Sequence, residues 1–292
     1  MAPRILATGH CNEIGRRHRR VHRDWLGCVK VLIEGGFRVF GSVRKEADAD
    51  RLSKEFGSNF TPLIFDVTDE AAVAAGANQV EAALGGETLL GLVNNAGIAV
   101  LGPLLNLKIE EFEHQLAVNL AGPLIVTQAF ARLLGAGPSP QGAPGRIVMI
   151  SSVGGKNAMP FLGPYCASKF GLEGLSESLR RELMIFGVDV IVVAPGTVAT
   201  PIWDKADAVD VTPFANSTYA PAIARLKRYM VTNGKEGLPP ERIGDAVRTA
   251  LTVARPKTRY TLTPNPLQNF MALTLPKRFV DGAIARRLGL KS

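Results

Sequence analysis

Tyr165 and Lys169 stand four residues apart in the run Tyr-Cys-Ala-Ser-Lys, with Ser152 thirteen residues upstream in Ile-Ser-Ser. A helix over residues 164–187 puts the phenol and the ammonium on one face, one turn apart. A free tyrosine has a pKa of about 10, and a cation within a few ångströms favours the phenolate and lowers it. Lys169 supplies that charge. The Ser152 hydroxyl both donates and accepts, so it can hold a carbonyl or alcohol oxygen while Tyr165 gives or takes the proton. No side chain carries a hydride, so the carbon chemistry calls for a cofactor.

Further residues follow in a set order: Asp66-Val67, the Asn-Asn-Ala-Gly run at 94–97, Asn119 in Ala-Val-Asn-Leu, then Ser152, Tyr165, Lys169, Pro195-Gly196 and Thr200. In this conjunction, from about residue 37 to about residue 260, the chain resembles the short-chain dehydrogenase/reductase family. The resemblance implies an oxidoreductase acting on CH–OH groups with a nicotinamide cofactor. Its catalytic residues would be Asn119, Ser152, Tyr165 and Lys169. Asn119 would kink its helix and hold a water leading to Lys169, which would also hold the nicotinamide ribose beside Tyr165. Asp66 and Val67 would contact the adenine, Asn94, Ala96 and Gly97 would line the ribose path, and Pro195, Gly196 and Thr200 would border the nicotinamide. For Asp66 a second role stays open, as a turn or cap residue before Thr68-Asp69. The resemblance also implies a homodimer or homotetramer.

These residues need a scaffold. Apolar, β-rich runs recur at Ile5–Ala7, Arg38–Ser42, Phe60–Phe65, Leu89–Val93, Arg146–Ile150 and Val188–Val193, separated mostly by helix-length stretches. Such alternation predicts an α/β fold, a Rossmann-like doubly wound parallel sheet with its site at the carboxyl ends of the strands. One domain accounts for all 292 residues: 1–196 mainly bind cofactor, and 197–292 form a helical substrate lid and C-terminal segment. Gly135–Gly145, rich in Gly, Pro and Ser, reads as a surface loop. Cys11, Cys28 and Cys166 have no metal-ligand or paired spacing, and with no apolar leader or 18-residue apolar run the expected location is the cytoplasm. The net charge of +8 resolves into two patches, five arginines at 16–23 and five cations against Asp281 at 277–291. Nucleic acid is therefore not the expected partner.

The cofactor turn departs from the family pattern. In Thr8-Gly9-His10-Cys11-Asn12-Glu13-Ile14-Gly15 the cofactor positions Thr8, Gly9, Ile14 and Gly15 are kept, but Glu13 replaces a glycine where phosphates should lie. A basic insertion at 10–24 follows, and Val21, Trp25, Val29 and Leu32 then recur at helical spacing, so the first helix is expected to start late, near residue 20. Three readings stay open: arginines that reach the cofactor phosphates, a solvated insertion without a role, or a stretch from an altered reading frame or splice choice. Arg44 follows the second strand and Val43 stands where NAD-preferring members place an aspartate. A guanidinium suits a 2′-phosphate, so NADP(H) is preferred and NAD(H) is the alternative.

Met159, Phe161 and Leu162 before Tyr165, and Trp203 after Thr200, are the candidate substrate residues, giving an apolar wall for a lipophilic alcohol or carbonyl such as a steroid or retinoid. Phe214, Tyr219, Leu226 and Met230 continue this composition into the lid. In the C-terminal segment Phe279, Val280, Ala283, Ile284 and Leu288 make one stripe, expected to pack beside the substrate opening or a subunit neighbour, with a membrane surface as the less favoured partner. The rival function is a catalytically weak or inactive relative, kept for binding or regulation, whose altered turn no longer holds dinucleotide.

Overall fold

The computed structural model describes residues 2–9, 23–137, 142–199 and 214–290. Seven parallel strands form one sheet: β1 (Arg4–Thr8), β2 (Arg38–Val43), β3 (Phe60–Ile64), β4 (Gly91–Asn94), β5 (Arg146–Ile150), β6 (Asp189–Pro195) and β7 (Arg259–Leu262). Their order across the sheet is β3-β2-β1-β4-β5-β6-β7. The register runs Ile5↔Val39 on one side of β1 and Ile5↔Gly91 on the other. The order reverses between β1 and β4, which opens a crevice at their carboxyl ends.

Ten helices flank the sheet among the described residues: α1 (Arg23–Glu34), α2 (Glu46–Phe56), α3 (Glu70–Leu84), α4 (Ile109–Leu116), α5 (Gly122–Phe130), α6 (Gly163–Glu182), α7 (Ala220–Lys235), α8 (Pro240–Thr252), α9 (Pro266–Thr274) and α10 (Lys277–Leu288). Both faces of the sheet are buried, and the period-two alternation of a strand divides its side chains between two cores. In β5, Ile147 and Met149 pack with Val126 and Phe130 of α5 and Leu172 of α6, while Val148 and Ile150 pack on the opposite face with Val29, Leu32, Ile243 and Val247 of α1 and α8. Each such side chain stabilises the fold by roughly 1.5–3 kcal/mol on burial. Gly244 allows α8 to lie close on α1, since a Cβ there would fall 2.8 Å from Cβ of Val31.

The six expected strands are present, and β7 joins them as an edge strand. The expected helix over 164–187 is α6, continued by a 3₁₀ turn at Leu183–Phe186 and closed by Gly187 at φ 70°. α1, described from Arg23 on, buries Trp25, Val29 and Leu32 of the expected first-helix stripe. Residues 10–22 of the expected 10–24 insertion, Ile14 and Gly15 among them, lie outside the described residues, as do Thr200 and Trp203.

A third cluster sits off the sheet, where Phe161, Ala222, Ile223, Leu226 and Leu288 bury one another against Met159, Phe214, Tyr219, Met230 and Ile284. This corrects the expected C-terminal stripe: α10 turns Val280 and Leu288 inward with Ile284 half-buried, whereas Phe279 and Ala283 face solvent. The inward residues recur every four positions, the repeat of a helix seam against α7.

Candidate active site

β5 ends at Ile150, and Ser152 follows in extended conformation, its Oγ accepting from the Gly154 N–H at 3.0 Å. A Cβ built on Gly154 would lie 3.4 Å from both Ser152 Oγ and Tyr165 Cε1. Serine and phenol therefore flank one small space kept open by a residue without a side chain. Pro164, in the first turn of α6, starts the helix at no cost in hydrogen bonds. Tyr165 follows immediately, and Lys169 lies one turn on, its Nζ 5.8 Å from the Tyr165 ring centroid.

Lys169 is buried, and its Nζ donates to the Ile150 carbonyl at 2.7 Å, which ties α6 to the end of β5. Burial pushes its pKa down from 10.5 to about 8, against the opposing field of Glu173 one turn further along α6. Glu173 is itself buried and receives Arg259 Nε of β7 at 3.1 and 3.2 Å. Cys166, next to Tyr165 on α6, is buried, and that burial raises its thiol pKa, with a partial offset from a backbone hydrogen bond at Met159.

Asn119 lies in a π-helical stretch, Ala117–Ala121, between α4 and α5. Its Oδ1 accepts from Ile98 N–H at 2.8 Å, and its Nδ2 donates to Ile98 O at 3.0 Å and Ser168 Oγ at 3.1 Å. Ser168 donates in turn to the Tyr165 carbonyl at 2.7 Å. One amide thus joins the crevice loop to the helix that carries Tyr165 and Lys169. Gln115 completes the clamp, accepting from Val100 N–H at 2.7 Å and donating to Ile98 O at 2.8 Å. Neither Gln115 nor Ser168 stood out in the sequence; the signal for Ser168 was its place inside Tyr-Cys-Ala-Ser-Lys.

The crevice residues divide. Gly97 lies against Asn119 and Lys169, where a Cβ would be 3.4 Å from Oδ1 and 3.8 Å from Nζ. Thr8 Oγ1 donates to Val93 O at 3.2 Å and accepts from Asn95 N–H at 3.1 Å, joining the tips of β1 and β4. Asn94 is turned away from the crevice: its Nδ2 donates to Thr127 Oγ1 of α5 at 3.0 Å. Ala96 and Val67 are buried, and Gly196 and Pro195 end β6 beside β7, with Gly196 N donating to Leu262 O at 2.6 Å. Asp66 Oδ1 accepts from Thr68 N–H at 3.0 Å, the turn role left open above, while Oδ2 lies 3.8 Å from Arg44. Asp69, not Asp66, caps α3.

A cavity of about 510 Å³ opens beside Ser152 and Tyr165. Met159, Leu162, Val198, Leu226 and Met230 give it apolar walls, and Asn233, Asn265, Gln268 and Asn269 add amides. Phe161 does not line it: at φ 64° its ring turns into the third cluster, 5.7 Å from Tyr219. The same strained residue leaves Met159 and Leu162 facing the cavity on either side.

At the nicotinamide end the residues fit a dinucleotide, since Gly97, Ser152, Tyr165 and Lys169 converge on the crevice. Gly9 packs closely on the buried Trp25, whose Cε2 lies 2.5 Å from where a Cβ would stand. The rest of the phosphate turn lies outside the described residues.

Residues 26–210 match the family model described as short chain dehydrogenase. An NADPH-dependent 3-dehydrocapnine reductase of Ornithobacterium rhinotracheale is 37% identical over 255 residues, covering 87% of this chain and 89% of that protein. Retinol dehydrogenase 5 of Mus musculus is 34% identical over 269 residues, 87% of this chain and 81% of that protein. A solved short-chain dehydrogenase from Streptomyces avermitilis superposes with a TM-score of 0.71 at 24% identity, covering 98% of this chain and 96% of that one.

Proposed function

The chain belongs to the short-chain dehydrogenase family of oxidoreductases, and from that premise we propose that it interconverts an alcohol and a ketone or aldehyde on a hydrophobic substrate, using NADP(H). The observation that carries the reading is the buried Lys169 one turn from Tyr165, with Ser152 across the same small space. Ser152 Oγ already accepts from Gly154 N–H, so its own proton is left to donate to a substrate oxygen. Tyr165 gives its phenolic proton to the oxygen as charge develops there. With a pKa of about 8, Lys169 is mostly ammonium at pH 7, and its charge, 5.8 Å from the Tyr165 ring centroid, favours the anion that proton transfer leaves behind. Asn119 holds the crevice loop and α6 in register, beside the relay that would restore the proton. Bound at the crevice, reduced nicotinamide supplies the hydride.

Arg44 stands at the end of β2 without a carboxylate at Val43, which supports NADP(H) over NAD(H); the name of the Ornithobacterium relative agrees. The apolar walls of the cavity and the retinol dehydrogenase relative favour a lipophilic substrate. Residues 197–292 act as its lid within a single domain, and the protein works as a cytoplasmic homodimer or homotetramer. The rival reading, a binding protein without turnover, rests on Glu13, which stands where the family keeps a glycine in the phosphate turn.

Titration of NADPH fluorescence, followed by a panel of apolar and sugar-like ketones and aldehydes, separates the two. Micromolar binding and turnover of the apolar set support the enzyme. No binding at millimolar NADPH supports the rival, and preference for sugar-like substrates contradicts the lipophilic assignment.

A further inference from the structure

The helix α9 is built inside out. Gln268, Asn269 and Ala272 lie on the side that lines the cavity, while Leu267, Phe270 and Met271, at the spacing of one helix stripe, face solvent. Leu267 is 69% exposed, Phe270 62%, Met271 43% and Leu273 42%, and Phe279 at the start of α10 adds a fifth large apolar side chain at 59%. A helix held only by its own protein turns its apolar stripe inward, so this arrangement calls for an apolar partner outside the fold.

The charge around the stripe says which partner. Residues 263–280 contain Lys277 and Arg278 and no acidic residue. Both cations are exposed, and neither forms an ion pair with a described residue. A twofold contact between copies would bring like cations together, with Asp281 the first acid along the chain to offset them. A surface of anionic lipid headgroups over hydrocarbon satisfies both features. No described helix is long and apolar enough to cross a membrane, so contact would be from one side.

We infer that α9 and the first turn of α10 dock on an anionic membrane surface, with Leu267, Phe270, Met271 and Phe279 in the headgroup–acyl boundary and Lys277 and Arg278 against the headgroups. The two faces of α9 then give the docking a use. Its inner face borders the cavity that holds Ser152 and Tyr165, so a lipophilic substrate can pass from the bilayer to the site without crossing bulk water. This delivery role rests on the apolar-substrate reading above; the docking itself does not.

The experiment is sedimentation of the full chain with vesicles of phosphatidylcholine alone and of phosphatidylcholine mixed with phosphatidylserine, alongside light scattering without lipid. The expected result is binding to the mixed vesicles that weakens with salt and falls about tenfold or more in Leu267→Asp with Phe270→Asp. Lys277→Glu with Arg278→Glu should lose the preference for phosphatidylserine. All four positions lie outside the residues assigned to catalysis, so turnover of a water-soluble carbonyl should be unchanged in both variants. Binding to neither vesicle, or binding untouched by either double substitution, overturns the docking. So does an oligomer, seen without lipid, that Leu267→Asp with Phe270→Asp dissociates, because a second copy would then be the occupant. Vesicle binding by a chain that turns over only sugar-like substrates would leave the docking standing and remove the substrate reading.

Discussion

Replacing Lys169 by Met should separate stability from activity, in a way that depends on pH. Burial moves the Lys169 pKa from 10.5 to about 8, so the folded state holds its proton less tightly than the unfolded chain does. Below pH 8 the ammonium is buried in full and the fold carries a penalty of about 3 kcal/mol, at 1.36 kcal/mol per pKa unit. As pH rises from 8 towards 10.5 the folded lysine sheds its proton first and the penalty fades. The substitution removes that penalty but also the 2.7 Å hydrogen bond to Ile150 O, a charged contact whose loss costs about 1.5–3 kcal/mol. At pH 7.5 the two nearly cancel. Urea denaturation of both proteins at pH 7.5 and 9.5 isolates the titrating part, because every other group is shared. Wild type should gain about 2 kcal/mol on Lys169→Met across that interval. Turnover at pH 7.5 should meanwhile fall by about a hundredfold or more with the loss of the priming charge. A stability difference that stays flat between the two pH values would refute the buried, depressed lysine.

Asn119→Ala should lower stability by roughly 2–4 kcal/mol, since it strips partners from Ile98 and Ser168 together, and thermal melting would show it. A melting point within error of wild type contradicts the clamp. Arg259→Ala leaves the buried Glu173 carboxylate with Lys156, at 3.8 Å, as its one remaining ion-pair partner among the described residues, and should cost about 3 kcal/mol in urea denaturation. Arg44→Ala should lower kcat/KM for NADPH by about tenfold or more while leaving NADH nearly unchanged. An unaltered ratio of the two would remove Arg44 from cofactor choice.

Six strands were readable because a sheet buried on both faces writes itself as short apolar runs, as in Ile147–Ile150. β7 was not, because its four residues lie at the sheet edge, none fully buried, and carry Arg259 and Thr261 beside Tyr260 and Leu262. In the site, Tyr165, Lys169, Ser152 and Asn119 were legible through their spacing and order, and the fold brings the crevice loop, β5 and α6 together around them. Gln115 and Glu173 were hidden, since one polar residue in a helix looks like solvent-facing surface until the loop it holds is known. Asn94 was legible as a conspicuous residue but not in its direction, which depends on the Thr127 hydroxyl 33 positions away. Phe161 sat among residues that do face the cavity, and only its left-handed backbone turns it elsewhere.

The central claim is a phenolic acid primed by a buried amine, and Tyr165→Phe tests it with the least disturbance. NADPH binding by fluorescence and steady-state reduction of an apolar ketone or aldehyde would be measured on the same preparation. The account predicts NADPH affinity within a few-fold of wild type and turnover reduced by a factor on the order of 10²–10⁴. Turnover close to wild type, with the ring in place and its hydroxyl gone, would contradict it.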